Sequence, residues 1–330
     1  MIVVTGGAGF IGSVLISELN RRQISDILVV DELGSDRKWK NLRSLSFADY
    51  IEKDDFLEMV IEDKLDIPVD AVFHLGACSD TTETNASYLV KNNYEYSKLL
   101  AQWATDADIR FIYASSAATY GDGSVGFSDD EGKMGILKPL NMYGYSKHMF
   151  DMWARRAGLL SKIVGIKYFN VFGPNEYHKG NMISFVVRAF EQIKDTGKVR
   201  LFKSYKPEYA DGKQVRDFLY VKDAVNMTLF LFDNPHINGI FNIGTGETRT
   251  WNDLVSAVFV AMGKKPNIEY IEMPASIRDQ YQYFTQADLS KLRKAGYSKP
   301  VTPLEEAIKD YVQNYLQHSK YVNFRTFQLA

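Results

Sequence analysis

The chain has 330 residues, 45% hydrophobic and 24% charged, with a formal net charge of −2. That length holds one large α/β domain or two smaller ones, and the near-neutral balance lacks the basic excess of a general nucleic-acid binder. Cys78 is the single cysteine, no apolar run reaches the ~18 residues of a membrane span, and "MIVVTGGAGF" has no basic n-region, so the expectation is a reduced cytoplasmic protein without disulfide, signal peptide or span.

The first half alternates apolar runs with helical spacing. "IVVT" (2–5) reads as a strand, followed by a helix from Gly9 to about Arg22. "ILVVD" (27–31), "AVFHLGA" (71–77) and "RFIYASS" (110–116) are further strands, with a helix over 88–104. A helix is expected from near Tyr143 to about Ala157, then a strand running into a loop over 162–174. This alternation means parallel strands with crossover helices, and strands apolar on both faces suit a covered sheet. Beyond Pro174 the pattern loosens. A loop and helix span 177–193, a polar surface loop 204–215, a short strand and helix 216–232, and a strand 240–246 that reads as an addition to the main sheet. A helix over 250–263, a strand over 268–274 and two helices over 287–297 and 302–316 complete the chain. The tail 319–330 has no usable periodicity.

Gly6, Gly9 and Gly12 leave the first strand and enter a helix. In that setting the first glycine permits a tight turn, the second a close approach of backbone to pyrophosphate, and the third helix-on-strand packing. The helix N-terminus offers free N–H groups to phosphates. Asp31 closes the second strand, where a carboxylate takes a ribose hydroxyl. Asp31 alone favours NAD. Arg37, Lys38 and Lys40 nearby, and Lys53 later, suit a 2′-phosphate, or are a solvated basic loop.

"NMYGYSK" (141–147) holds two tyrosines before a lysine. Residues four apart share a helix face, so Tyr143 pairs with Lys147 and Tyr145 does not. A tyrosine titrates near ~10, and lowering it by about three units takes roughly 4 kcal/mol. One ammonium at ~4 Å supplies that order of energy at an effective dielectric of about 20. Ser115 and Ser116 end a strand at the carboxyl edge, where parallel sheets place their sites, and Ser116 is placed to bond the reacting oxygen. No metal-ligand set is expected.

The series "TGGAGFIG", "HLGA", "SSAATYG", "YGYSK", "YFNVFGP" and "RDFLYVKD" resembles the extended short-chain dehydrogenases/reductases along nearly the whole chain. "DDFL", "NNYEYSK", "KPLNMYGYSK", "YFNVFGPNEYHKG" and "YFTQADL" narrow the likeness to the ADP-L-glycero-D-manno-heptose 6-epimerases over about 1–317. The resemblance implies a Rossmann-type doubly wound parallel sheet with a smaller α/β C-terminal substrate domain. The cofactor domain is expected over 1–172 plus about 216–246, and the substrate domain over 173–215 and 247–330. Tightly bound NADP, one per subunit, would take a hydride from C6″ of the sugar and return it to the other face, and NAD is the lesser alternative. Inversion presents oxygen in two positions, which one acid/base group serves poorly; the family's second group falls on Lys179. Carried over as cofactor contacts are Phe10, Ile11, Asp31, Glu32, Lys38, Lys53, Leu75, Gly76, Ala77, Cys78, Ser79, Asn92, Lys147, Val171 and Lys179. Carried over for the nucleotide-sugar are Asn170, Asn181, Arg188, Phe202, Arg216 and Tyr281, with Arg188 and Arg216 suited to a diphosphate. The family also implies a homo-oligomer, a pentamer, with no nucleic-acid or membrane partner. The chain departs from the pattern at Leu75, where the motif has glutamate, and in a longer 203–215 loop expected to shape the nucleotide pocket.

Two rivals stand beside this. A UDP-hexose 4-epimerase shares the fold, and Lys179 with its "HKGN" loop discriminates. A non-catalytic dinucleotide sensor would lack a working Tyr143–Lys147 pair. A 4,6-dehydratase needs a Thr-Asp-Glu acid pair where this chain reads "SSAATYG".

Overall fold

A computed structural model describes residues 1–278 and 281–324. In chain order it builds β1 (Ile2–Thr5), α1 (Phe10–Arg21), β2 (Ile27–Asp31), β3 (Asp49–Glu52), α2 (Lys53–Ile61), β4 (Ala71–His74), α3 (Ala86–Leu89), α4 (Tyr96–Asp106), β5 (Arg110–Ser116), α5 (Met142–Arg156), β6 (Val164–Tyr168) and β7 (Asn170–Phe172). There follow α6 (Phe185–Thr196), β8 (Val199–Phe202), β9 (Val215–Arg216), β10 (Phe218–Tyr220), α7 (Val221–Asp233), β11 (Gly239–Ile243), β12 (Arg249–Thr250), α8 (Trp251–Ala261), β13 (Ile268–Ile271), α9 (Ala275–Arg278), α10 (Ser290–Lys294) and α11 (Leu304–Asp310). Seven strands form one parallel sheet in the order β11-β6-β5-β4-β1-β2-β3. The order reverses between β1 and β4, and ligands of doubly wound sheets bind at that switch point, beyond the strand carboxyl ends.

Successive strand residues face opposite sides, and both sides are covered. Val4, Val29 and Phe73 enter one apolar cluster, while Val3, Leu28 and Val72 enter another with Leu100 and Phe150. The first cluster continues into the C-terminal part of the chain through Leu254, Val258, Ile308 and Tyr311.

Several expected elements come out differently. The strand expected over 71–77 stops at His74, because Leu75–Ala77 peel off to line the cleft. The strand expected over 162–174 breaks at Phe169: β6 stays in the main sheet, and β7 pairs instead with β10. β3, α2 and β8 have no sequence counterpart above. β3 is a polar edge strand, and β8 is only four residues long, with Val199 and Leu201 buried, Arg200 exposed and Phe202 half-buried. Lys53 therefore opens a helix. The helix expected over 88–104 runs from Ala86 to Asp106 but carries a π-helical turn at Val90–Glu95. The tail expectation falls outside the described residues after Phe324.

Candidate active site

The β1–α1 turn builds the first wall. Gly6 adopts φ +68°, and a Cβ there would lie 2.6 Å from the Gly76 nitrogen. The turns after β1 and β4 thus touch backbone to backbone. At Gly12 a Cβ would lie 2.2 Å from the Gly6 carbonyl, so α1 can only start this close to β1 with glycine there. α1 has no side-chain cap and no acidic residue in its first turn, which leaves its orphan N–H groups for a phosphate. Asp31 accepts the Ala8 N–H at 2.8 Å, so the carboxylate that faces a ribose also braces the glycine loop. A dinucleotide fits this cradle.

A cleft of 670 Å³ runs along the strand ends. Of the residues named from sequence it takes in Gly6, Gly9, Phe10, Ile11, Gly12, Asp31, Lys38, Leu75, Gly76, Ala77, Cys78, Ser79, Ser116, Tyr143, Lys147, Asn170, Val171 and Lys179. Glu32, Lys53 and Asn92 line an adjoining recess of 240 Å³ that shares Asp31 and Lys38. Arg188, Phe202 and Tyr281 line a second cavity of 570 Å³, which shares Phe185 and Trp251 with the cleft. Asn181 and Arg216 line none of the three. Asn181 is exposed on a short turn. Arg216 is buried, donates to the Val215 and Gln282 carbonyls, and lies over the rings of Trp251 and Tyr281. No residue of the 203–215 loop lines these cavities; it folds onto Glu272, Arg278 and Tyr283.

Asn141 caps α5, accepting the Gly144 N–H at 2.8 Å. That fixes the helix phase: Tyr143 and Lys147 face the cleft, and Tyr145 is 47% exposed. Burial pushes the Tyr143 hydroxyl up, opposed by its hydrogen bond with Ser116. The expected depression by Lys147 is not seen: protein surrounds both groups, desolvation dominates each, and Lys147 is not among the groups that act on the Tyr143 hydroxyl. The same burial brings Lys147 down to about 8, with Asp151 pulling it back up. Lys179 comes from the loop between β7 and α6, and its ammonium lies 5.3 Å from the centre of the Phe10 ring. Burial lowers it, and Glu176 opposes the shift.

Three supporting groups were not picked out from sequence. Asp151 continues the Tyr143–Lys147 face by one more turn and bonds Lys167 at 2.7 Å, Ser115 at 2.7 Å and Tyr113 at 2.9 Å. Its helical spacing was the available signal. Asn93, fully buried in the π turn, accepts the Cys78 N–H and donates to the Cys78 carbonyl, both at 2.9 Å, and donates to Ser146 at 3.0 Å. Asn41 donates to the carbonyls of Ala8 at 2.8 Å and Asn175 at 3.0 Å. Nothing local in sequence marks the last two.

Residues 2–244 match the NAD dependent epimerase/dehydratase family. A protein of Nitratidesulfovibrio vulgaris (strain DP4) named ADP-L-glycero-D-manno-heptose-6-epimerase is 55% identical over 316 residues, covering 96% of this chain and 98% of that one. The crystal structure of Helicobacter pylori ADP-L-glycero-D-manno-heptose-6-epimerase matches with TM-score 0.79 at 29% identity, covering 95% of each chain. The UDP-glucose 4-epimerase of Thermus thermophilus, solved in complex with NAD, matches with TM-score 0.75 at 25% identity, over 94% of this chain and 97% of that one.

Proposed function

The chain belongs to the NAD dependent epimerase/dehydratase family, and on that premise we propose that it converts ADP-D-glycero-D-manno-heptose to ADP-L-glycero-D-manno-heptose, for lipopolysaccharide core synthesis. What carries this is the meeting in one cleft of Ser116, Tyr143 and Lys147 with Lys179 from a separate loop. A bound nicotinamide dinucleotide supplies the acceptor and donor of the C6″ hydride. Tyr143 takes the proton from the C6″ oxygen as the carbon is oxidised, with Ser116 bonding that oxygen. Lys147, protonated at neutral pH, steadies the ribose. In the loaded enzyme its ammonium, together with the positive charge an oxidised nicotinamide would bring beside Tyr143, offsets the burial that raises the hydroxyl, so that the phenolate becomes accessible. Once the ketone has turned its other face, its oxygen lies elsewhere, and Lys179 returns the proton there. The net proton passes through solvent between turnovers. The 570 Å³ cavity beside the cleft takes the nucleotide, with Arg188 at its diphosphate and Phe202 and Tyr281 along its walls. Asn170 of the cleft completes the substrate set, while Asn181 and Arg216, which line neither cavity, act through their neighbours Arg188 and Tyr281.

NADP is the preferred cofactor in this proposal. Lys38 donates to Asp31 at 3.0 Å and so offsets the carboxylate that would repel a 2′-phosphate, and Lys53 stands across the same recess, 3.6 Å from Glu32. Also proposed are a cofactor domain of 1–172 with about 216–246, a substrate domain from the remainder, a cytoplasmic location and a pentameric assembly. The deciding experiment incubates the protein with ADP-D-glycero-heptose and, separately, with UDP-galactose, and resolves the products by NMR. Conversion of the first alone is expected; conversion of the second alone would overturn the assignment in favour of a hexose 4-epimerase. Nucleotide released on denaturation should be NADP, and NAD alone would refute the role given to Lys38 and Lys53.

A further inference from the structure

The chain does not end at its last helix. It reverses at Ser319, φ +51°, and runs along the outside of the loop that bears Lys179. The Val322 N–H donates to Asn175 Oδ1 at 2.9 Å, and the Val322 side chain is buried. The Lys320 carbonyl accepts the Tyr177 hydroxyl at 3.0 Å. The Tyr321 ring meets the Tyr177 ring edge-on at 5.1 Å, and the Arg43 guanidinium lies 5.2 Å from the centre of the Tyr321 ring.

Asn175 receives this segment. It is buried at φ +78°, a conformation asparagine tolerates better than most residues. Its amide nitrogen donates to Ser13 of α1 at 2.9 Å, and its carbonyl accepts from Asn41, which also holds the glycine loop. Glu176 closes the loop by accepting the N–H groups of Gly173 and Ser184. The Lys179 loop is thus pinned from inside by the cofactor cradle and from outside by the C-terminal segment. An ordinary solvated lysine needs no such bracing, whereas a group that must meet a reacting oxygen has to be held within about 0.5 Å.

We propose that residues 319–322 are a strap that positions Lys179, with Asn175 and Tyr177 as the residues it grips. The proposal rests on Lys179 as the second acid/base group. Two proteins test it beside the full chain: one ending at His318, and Asn175→Gly, which keeps the left-handed backbone and removes the amide. Hydrogen exchange of the peptide covering 173–184 should quicken at least about tenfold in both. Turnover per bound cofactor should fall about a hundredfold, the usual consequence of a displacement near 1 Å, with KM little changed. Unchanged exchange overturns the strap, and faster exchange with unchanged turnover per bound cofactor overturns its positioning role. If the full chain leaves ADP-heptose unconverted, the substrate assignment fails, while the exchange measurement still decides whether the strap holds the loop.

Discussion

Tyr143 and Lys147 lie one helical turn apart on a face that Asp151 continues, so one short segment sets a phenol, an ammonium and a carboxylate in a row beneath the cleft. Lys179 reaches the same cleft from a different part of the chain. If the two hydroxyl positions of the inversion are served by different groups, Tyr143→Phe and Lys179→Met should each lower epimerisation by about 10²–10⁴-fold, with cofactor content unchanged. Product analysis by NMR checks this, and full activity in either variant would sink the two-base assignment. Below the site, the Lys167–Asp151 pair is sealed from solvent. Removing one partner of such a pair leaves an uncompensated buried charge and destabilises by about 3–5 kcal/mol, whereas replacing both is often near neutral. Asp151→Asn should therefore lower the urea midpoint sharply, and adding Lys167→Met should recover most of the loss. Simple addition of the two losses would show that the groups do not act as a pair.

At the scale of elements, the sequence was legible where a residue's role is set by its neighbours in the chain. Helical spacing separated Tyr143 from Tyr145, and the glycine spacing located the β1–α1 cradle. It was illegible where long-range packing decides. Nothing in "VKNNYE" announces a π turn, and spacing does not single out Asn93 over Asn92. The extra residue in that turn lets Asn93 reach inward to both backbone groups of Cys78 while also bonding Ser146, and so ties the loop after β4 to α5. π turns recur at functional sites, and this one braces a cleft wall. Likewise β3 and β8 are stabilised by neighbouring strands rather than by an apolar run of their own. Asn93→Ala should cost about 1 kcal/mol or more by leaving two half-buried backbone groups of Cys78 without their partner. It should also speed loss of bound nucleotide, since residues 75–79 line the cleft. Denaturant unfolding together with nucleotide retention after gel filtration checks both, and an unchanged midpoint would count against the brace.

Across the whole molecule, the switch point of the sheet is held by a buried polar chain whose direction is fully determined. Ser97 donates to the Asn93 carbonyl at 2.6 Å, so it accepts from His74 Nε2 at 2.8 Å. His74 Nδ1 then accepts from the Thr5 hydroxyl at 2.7 Å, and Thr5 accepts the Gly76 N–H at 3.2 Å. Each donor has one acceptor, and the arrangement needs neutral His74 with its proton on Nε2. Burial, and to a lesser degree Lys147, hold its pKa down to about 3. A second proton would sit on Nδ1, facing a hydroxyl that already donates to it. The sign of the effect on stability follows. The folded pKa lies below the unfolded one, near 6.5, so this stabilisation is complete above pH 6.5 and is lost as the pH falls toward 3. Over that window the slope rises from half of about 1.4 kcal/mol per pH unit toward that limit, so lowering the pH from about 6.5 to about 5 removes about 1.6 kcal/mol. His74→Gln can keep both hydrogen bonds but cannot titrate. Its urea midpoint should start lower at about pH 7 and then fall less steeply than that of the parent between about pH 6.5 and 5. Every other titrating group is common to the two proteins, so the difference between the two slopes isolates His74. Parallel slopes would mean that the chain through the switch point accepts a charged imidazole, contrary to the hydrogen-bond directions derived for it.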